Sequence, residues 1–73
     1  MIDGKKTDLK RTKGSGNIEK FGKHAVNEQG AEQVFFQFDE WTGKHRDNIA
    51  WISHEGIHGF YILTSSPNVE HSF

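Results

Sequence analysis

Two histidines and a glutamate in the C-terminal third of the chain have the spacing of a zinc-protease motif. His54 and His58 lie four positions apart and Glu55 directly follows the first, which gives the pattern H-E-x-x-H. On a helix, this spacing places both imidazoles on one face as zinc ligands, with the glutamate beside them as general base. Gly56 and Gly59 interrupt such a helix, so the local sequence favours a hairpin loop between two strands. The zinc site stays as an alternative.

His45 is the second candidate for chemistry, because an imidazole can attack a phosphodiester or protonate its leaving group. Its neighbours Lys44 and Arg46 are cationic and are candidate phosphate contacts. If this segment is a strand, alternation sends both neighbours to the face opposite His45. The imidazole would then lie at the start of a strand, at the edge of a sheet.

Three short apolar segments predict the elements that position these residues. VFFQF, NIAWI and GFYILTS are rich in aromatic and β-branched residues and read as strands. Asn17 is a plausible N-cap for a short helix over residues 18–26. The sequence therefore predicts an α+β fold with one short helix and a three-stranded, mostly antiparallel sheet.

Two of the three predicted strands are apolar on both faces. A sheet of this kind needs a covering layer on each face, and one short helix can cover only one face. The uncovered face would be an exposed apolar patch. We therefore expect the chain to be a fragment of a larger α/β protein or an obligate oligomer.

The order of these segments resembles the deoxyribonuclease II family of phospholipase D-like enzymes. The pieces that carry the resemblance are VFFQFD, HRDNIAWI and HEGIHGFYILTSSPN, within a stretch that runs roughly from Gly14 to Val69. The resemblance implies part of the N-terminal half of a phospholipase D-like fold, with His45 as its catalytic histidine. It also implies endonucleolytic cleavage of DNA in acid, without a metal or other cofactor, in a lysosomal or secreted setting.

The chain departs from that family at the catalytic motif. Asp47 stands two residues after His45, where the family has a lysine, and a carboxylate there would repel phosphate. The sequence contains no His-x-Lys motif. We therefore expect the isolated chain to be inactive, with the rest of a parent chain or a second copy in a homodimer needed to complete a site.

Positive charge is concentrated at the N-terminal end. Residues 1–23 have seven Lys/Arg against three Asp/Glu, a net charge of +4, and residues 24–73 have a net charge of −5. We expect a flexible basic segment over residues 1–16 and one small unit over residues 17–73. Lys10, Arg11 and Lys13 are candidate DNA contacts, so a DNA-binding or interaction module without catalysis is a further alternative. Trp41, in a predicted loop, is a candidate for base stacking.

The composition excludes some ways of stabilising a small fold. The chain has no cysteine, which rules out disulfides and cysteine metal sites. Its first residues, MIDGKKTDLKRTK, contain no apolar run and predict neither a signal peptide nor a membrane span.

Overall fold

The computed structural model describes residue 2 and residues 4–73 of the chain. Within these residues the elements follow one another as β1 (Thr7–Thr12), α1 (Ile18–Asn27), β2 (Gln33–Phe38), α2 (Gly43–His54), β3 (Gly59–Leu63) and β4 (Ser66–Ser72). The α+β class predicted from the sequence is confirmed. Neither helix of this described part is long and apolar enough to cross a membrane.

The sheet is mostly parallel, and the prediction of a mostly antiparallel sheet is wrong. Across the described residues the strand order is β1-β2-β3-β4. β1 pairs with β2 and β2 pairs with β3 in parallel, while β4 turns back antiparallel to β3. A helix separates each pair of parallel strands, as a crossover connection requires.

The predicted second strand, NIAWI, lies inside helix α2. His45, Ile49 and Ile52 are the buried residues of α2, and their spacing of i, i+4 and i+7 is that of one helical face. On a strand, Trp51 would share a face with Ile49, but in the structure it is 52% exposed. A run of four apolar residues, Ile49 to Ile52, resembled a strand because the buried residue that completes the helical period, His45, is polar.

The predicted loop over residues 1–16 contains a strand. β1 is the polar segment TDLKRT, and its residues pair in register with β2 from Thr7↔Gln33 to Thr12↔Phe38. The hydrophobic pattern did not indicate it because Leu9 is its one apolar residue and is 57% exposed. Met1 and Asp3, which the prediction of a flexible segment includes, lie outside the described residues.

The core lies between the sheet and both helices. Val34, Phe36 and Phe38 alternate along β2 and are fully buried. They pack against buried residues of the helices and of the segment before β3, namely Ile18, Ala25, Ile49, Ile52 and Ile57. The predicted helix after Asn17 is confirmed as α1, although the Asn17 side chain makes no capping hydrogen bond.

The opposite face of the sheet has no covering element among the described residues. Phe35 and Phe60 lie in register on that face with their ring centroids 4.4 Å apart, and both are half-buried. Leu9 and Ile62 flank them on the neighbouring register positions. That the chain is a fragment or an oligomer stays a prediction.

A side chain at Gly59 would clash with the backbone of β2, so we expect Gly59→Ala to be strongly destabilising. A Cβ at this residue would lie well inside contact distance of the backbone of Val34, its partner in the parallel ladder. The backbone of Val34 cannot move aside as a flexible side chain can, so the free energy of unfolding should fall by about 3 kcal/mol or more. Urea unfolding followed by tryptophan fluorescence measures it.

Gly14→Ala is the matched control, because a Cβ there would meet no atom within 4 Å. Its effect should stay within about 0.5 kcal/mol of zero. An equal loss for both variants would contradict the close approach of β3 to β2.

Candidate functional site

His45 lies in the first turn of α2 and is 2% exposed. Its Nε2 is 2.9 Å from the carbonyl oxygen of Lys13. Its Nδ1 accepts the backbone N–H of Thr42 at 3.1 Å and lies 2.8 Å from the Thr42 hydroxyl. Because a carbonyl oxygen only accepts, these partners assign the proton to Nε2 and leave Nδ1 as the acceptor.

This environment leaves neither ring nitrogen of His45 open to a substrate. The imidazole also packs edge-on against Phe38, at 5.3 Å between centroids, and lies 5.8 Å from Trp41. The predicted position of His45 at the start of a strand is wrong, since it belongs to a helix. In this fold His45 joins the beginning of α2 to the end of β1, so the arrangement does not favour a nucleophile.

The H-E-x-x-H residues do not share a helical face. His54 is the last residue of α2, and His58 lies just before β3. Gly56, with φ at +91°, turns the chain between them. Within residue 2 and residues 4–73, no three His, Cys, Asp or Glu side chains are grouped to hold a metal ion. The expected hairpin loop is also wrong, because this segment joins a helix to a parallel strand.

The cations of residues 4–23 lie on β1, on α1 and in the segments beside them, and carboxylates from later in the chain pair with three of them. β1 lies at one edge of the described sheet, and α1 follows it and contacts it through Lys10, whose ammonium lies 5.7 Å from the centre of the Phe21 ring. We call the cationic residues of this region the basic edge: Lys5, Lys6, Lys10, Arg11, Lys13, Lys20 and Lys23. Residues 4–23 oppose these with only Asp8 and Glu19.

Four of the seven cations of the basic edge make ion pairs with described residues, and Arg11 and Lys13 are the most exposed of the four. Arg11 lies 3.1 Å from Asp39 and Lys13 lies 3.7 Å from Glu40, with the cationic side chains 66% and 74% exposed. The Arg11 hydrogen bond, assisted by Thr64, lowers the pKa of Asp39 below its usual value. Exposed pairs of this kind contribute little to stability, so Arg11 and Lys13 can exchange their partners for a phosphate.

A groove of about 620 Å³ runs along α1 beside the basic edge. Its lining includes Lys10, Lys20, Phe21, Lys23 and His24. The Lys23 ammonium is hydrogen-bonded to a glutamate of its own helix at 2.7 Å and paired with another at 3.3 Å, and these contacts raise its pKa. Lys20 makes no ion pair with any described residue, so it is the groove cation most accessible to an anion.

Lys44 and Arg46 lie exposed in the first turn of α2. The hydrogen bond between His45 and Lys13 holds this turn beside the end of β1. The structure therefore joins two sets of predicted phosphate contacts that are far apart in sequence. Lys10 and Arg11 lie on opposite faces of β1, towards α1 and towards the open face respectively.

Trp41 is not the exposed loop aromatic that base stacking would need. Its ring is half-buried and stacks on Tyr61 at 4.5 Å between centroids and 11° between planes. Tyr61 stacks in turn on His71 at 4.8 Å, and burial raises the pKa of the Tyr61 hydroxyl. Trp41 and Tyr61 thus pack against the core and are not free to stack on bases.

The ion pair between Asp8 and Lys10 was not predicted from the sequence. Asp8 lies two residues before Lys10 on β1, and the register of β1 places both opposite buried residues of β2. The signal was present as an acid and a lysine on one face of an alternating segment. It was overlooked because the segment was predicted to be a loop.

Comparison with known proteins adds no assignment to this geometry. No protein-family model matches the chain, and neither a curated protein nor a solved structure shows significant similarity to it. The fold and site define the class: a small α+β unit with a mostly parallel sheet and a cationic edge. The resemblance to deoxyribonuclease II stays a prediction.

His45→Ala should destabilise the protein by about 3 kcal/mol. The change leaves the Thr42 N–H and the Lys13 carbonyl without their partner and opens a space beside Phe38. Urea unfolding read by tryptophan fluorescence measures the loss, and the exposed His54→Ala is the control, with an expected effect within about 0.5 kcal/mol. A His45→Ala protein as stable as wild type would show that the imidazole is not a structural link.

Proposed function

We propose that this protein binds nucleic acid through the basic edge formed by β1, α1 and the loop between them. The observation that supports it is the concentration of cations: residues 4–23 contain seven Lys/Arg, and two of these, Arg11 and Lys13, are 66% and 74% exposed at one edge of the described sheet. Neutralised phosphates release counterions, and this release drives binding to a polyanion.

The exposure of these cations supports binding to a phosphate backbone. Arg11 and Lys13 project from the end of β1 and are mostly exposed. The first turn of α2, with Lys44 and Arg46, is held next to them by His45. A nucleic-acid backbone that follows the edge of the sheet could contact cations from β1, α1 and α2 in succession.

Binding is favoured over histidine catalysis because of the position of His45. Its burial and its two hydrogen-bonded ring nitrogens do not support attack on phosphorus. The cleavage of DNA that the deoxyribonuclease II resemblance implies therefore stays a prediction, and so do its acidic optimum and its lysosomal or secreted setting.

Deletion of residues 1–13 would not test this proposal cleanly, since it removes β1 from the sheet. The double variant Arg11→Gln/Lys13→Gln removes two charges from exposed side chains instead. Fluorescence anisotropy with labelled duplex DNA, single-stranded DNA and RNA should show about tenfold weaker binding, and the slope of log K against log salt should fall by about two.

Lys44→Gln/Arg46→Gln is the comparison variant, because it removes the same charge from the flank of the basic edge. We expect it to weaken binding less than the β1 variant does. Equal displacement of the probe by polyglutamate and by unlabelled DNA would instead indicate a general anion site. No binding to any of the three probes at low salt would contradict the proposal.

A further inference from the structure

The groove along α1 differs in chemistry from the end of β1, although both belong to the basic edge. Three lysines line the groove, but the Lys10 ammonium lies 3.1 Å from a carboxylate and the Lys23 ammonium lies 2.7 and 3.3 Å from two others. These contacts offset most of the charge of both lysines. Lys20 makes no ion pair with any residue that the structure describes. The groove therefore suits a ligand with one phosphate and an uncharged body better than it suits a run of phosphates.

An aromatic ring and hydrocarbon chains form much of the wall of this groove. Phe21 contributes its half-buried ring, and the methylene stems of the lysines add apolar surface. The Lys10 ammonium lies 5.7 Å from the centre of that ring, so cationic and aromatic side chains adjoin in one groove. Proteins that bind single-stranded nucleic acid use this combination, in which a base packs on an aromatic ring while cations beside it contact the phosphate backbone.

The C-terminal end of α1 adds hydrogen-bonding groups to the groove. His24, Asn27 and Glu28 line it there, and Asn27 and Glu28 are exposed. An amide both donates and accepts hydrogen bonds, and a carboxylate accepts them, so these side chains can bind the polar edge of an unpaired base. The groove thus combines an apolar wall, polar groups and a cation, which are the three features that recognition of a nucleotide requires.

The size of the groove fits a single nucleotide. Its volume of about 620 Å³ lies within the range of about 300–1,000 Å³ that is typical of small-molecule sites. The bases of a duplex are paired and stacked, whereas a single strand can turn a base out into such a groove. We propose that the basic edge prefers single-stranded nucleic acid, with an unpaired base held against Phe21 in the groove along α1. This inference rests on the proposed nucleic-acid binding and names the form of nucleic acid that the site selects.

The position of the groove agrees with a strand that also contacts the end of β1. Lys13 directly follows β1, and Lys20 lies in the first turn of α1, next to Phe21 in sequence. Arg11 and Lys13 are mostly exposed and would hold phosphates on one side of the bound base, while Lys20 would hold the phosphate of the base itself. Phosphate contacts fix the register of the strand, and the base in the groove adds affinity that a duplex does not gain.

A strand without bases tests this inference while the protein stays unchanged. Fluorescence anisotropy compares four labelled probes: a single-stranded DNA, the same strand with abasic sites in place of its bases, its duplex, and an RNA of the same sequence. The measurement is made at about 0.2 M salt, where phosphate contacts are weakened. The intact single strand, as DNA or as RNA, should bind about tenfold more tightly than the abasic strand and more tightly than the duplex, because only an unpaired base can stack in the groove.

Phe21→Leu should weaken binding of the intact single strand by about tenfold and leave binding of the abasic strand and the duplex unchanged. Phe35→Leu is the matched control, because Phe35 is also half-buried but lies on the uncovered face of the sheet, and it should bind every probe as wild type does. Phe21 also packs against the core. If Phe21→Leu lowers the midpoint of urea unfolding, Asn27→Ala decides, since this exposed change should weaken binding of the intact strand alone by about threefold.

The outcomes separate this inference from the proposed function. Equal affinity for the intact and abasic strands, tighter binding of the duplex, or a folded Phe21→Leu protein that binds the intact strand as wild type does would overturn the base site and leave binding to the phosphate backbone in place. Failure to bind any probe, even at low salt, overturns both.

Discussion

The hydrogen bonds of one buried imidazole join the loop after β2 and the beginning of α2 to the end of β1. His45 accepts from the beginning of its own helix and donates to the carbonyl of Lys13, so a single side chain fixes α2 against the end of β1. A carbonyl and an amide in such a place need partners because the cost of burying them unpaired is about 1–3 kcal/mol each. Ile49 and Ile52 pack α2 against the core, and His45 fixes the first turn of the helix, which contains Lys44 and Arg46, beside β1.

The same link explains why a histidine can look catalytic in sequence and be structural in the fold. Its neighbours Lys44 and Arg46 suggested a phosphate site with His45 at its centre. The helix instead turns those cations to the surface and the imidazole into the core. The site suggested by the sequence is thus split: Lys44 and Arg46 are exposed to solvent, and His45 is hydrogen-bonded to backbone groups in the core.

Parts of the fold could be predicted from sequence because local pattern and burial agree there. β2 alternates strictly, β3 is a run of aromatic and aliphatic residues, and α1 has a clear apolar face. α2 was missed because a polar residue, His45, completes its buried face. β1 was missed because its place in the sheet comes from pairing with β2 and not from hydrophobicity.

The prediction of an antiparallel sheet was wrong for a related reason. Without α2, no crossover connected β2 to β3, so β3 was expected to return as a hairpin. The pairing of Asp8 with Lys10 could not be predicted until β1 was known to be a strand.

The polar composition of β1 has a consequence for solubility. An edge strand presents unpaired backbone groups that can recruit a strand from another molecule, and natural sheets discourage this with charged side chains and proline. Lys10 and Arg11 lie on one edge of the described sheet, and β4, on the other edge, contains Pro67 and Glu70. With an aromatic pair such as Phe35 and Phe60 on a face that no described element covers, this protection matters more than usual. The charges proposed to bind nucleic acid would also oppose cross-β aggregation at this edge.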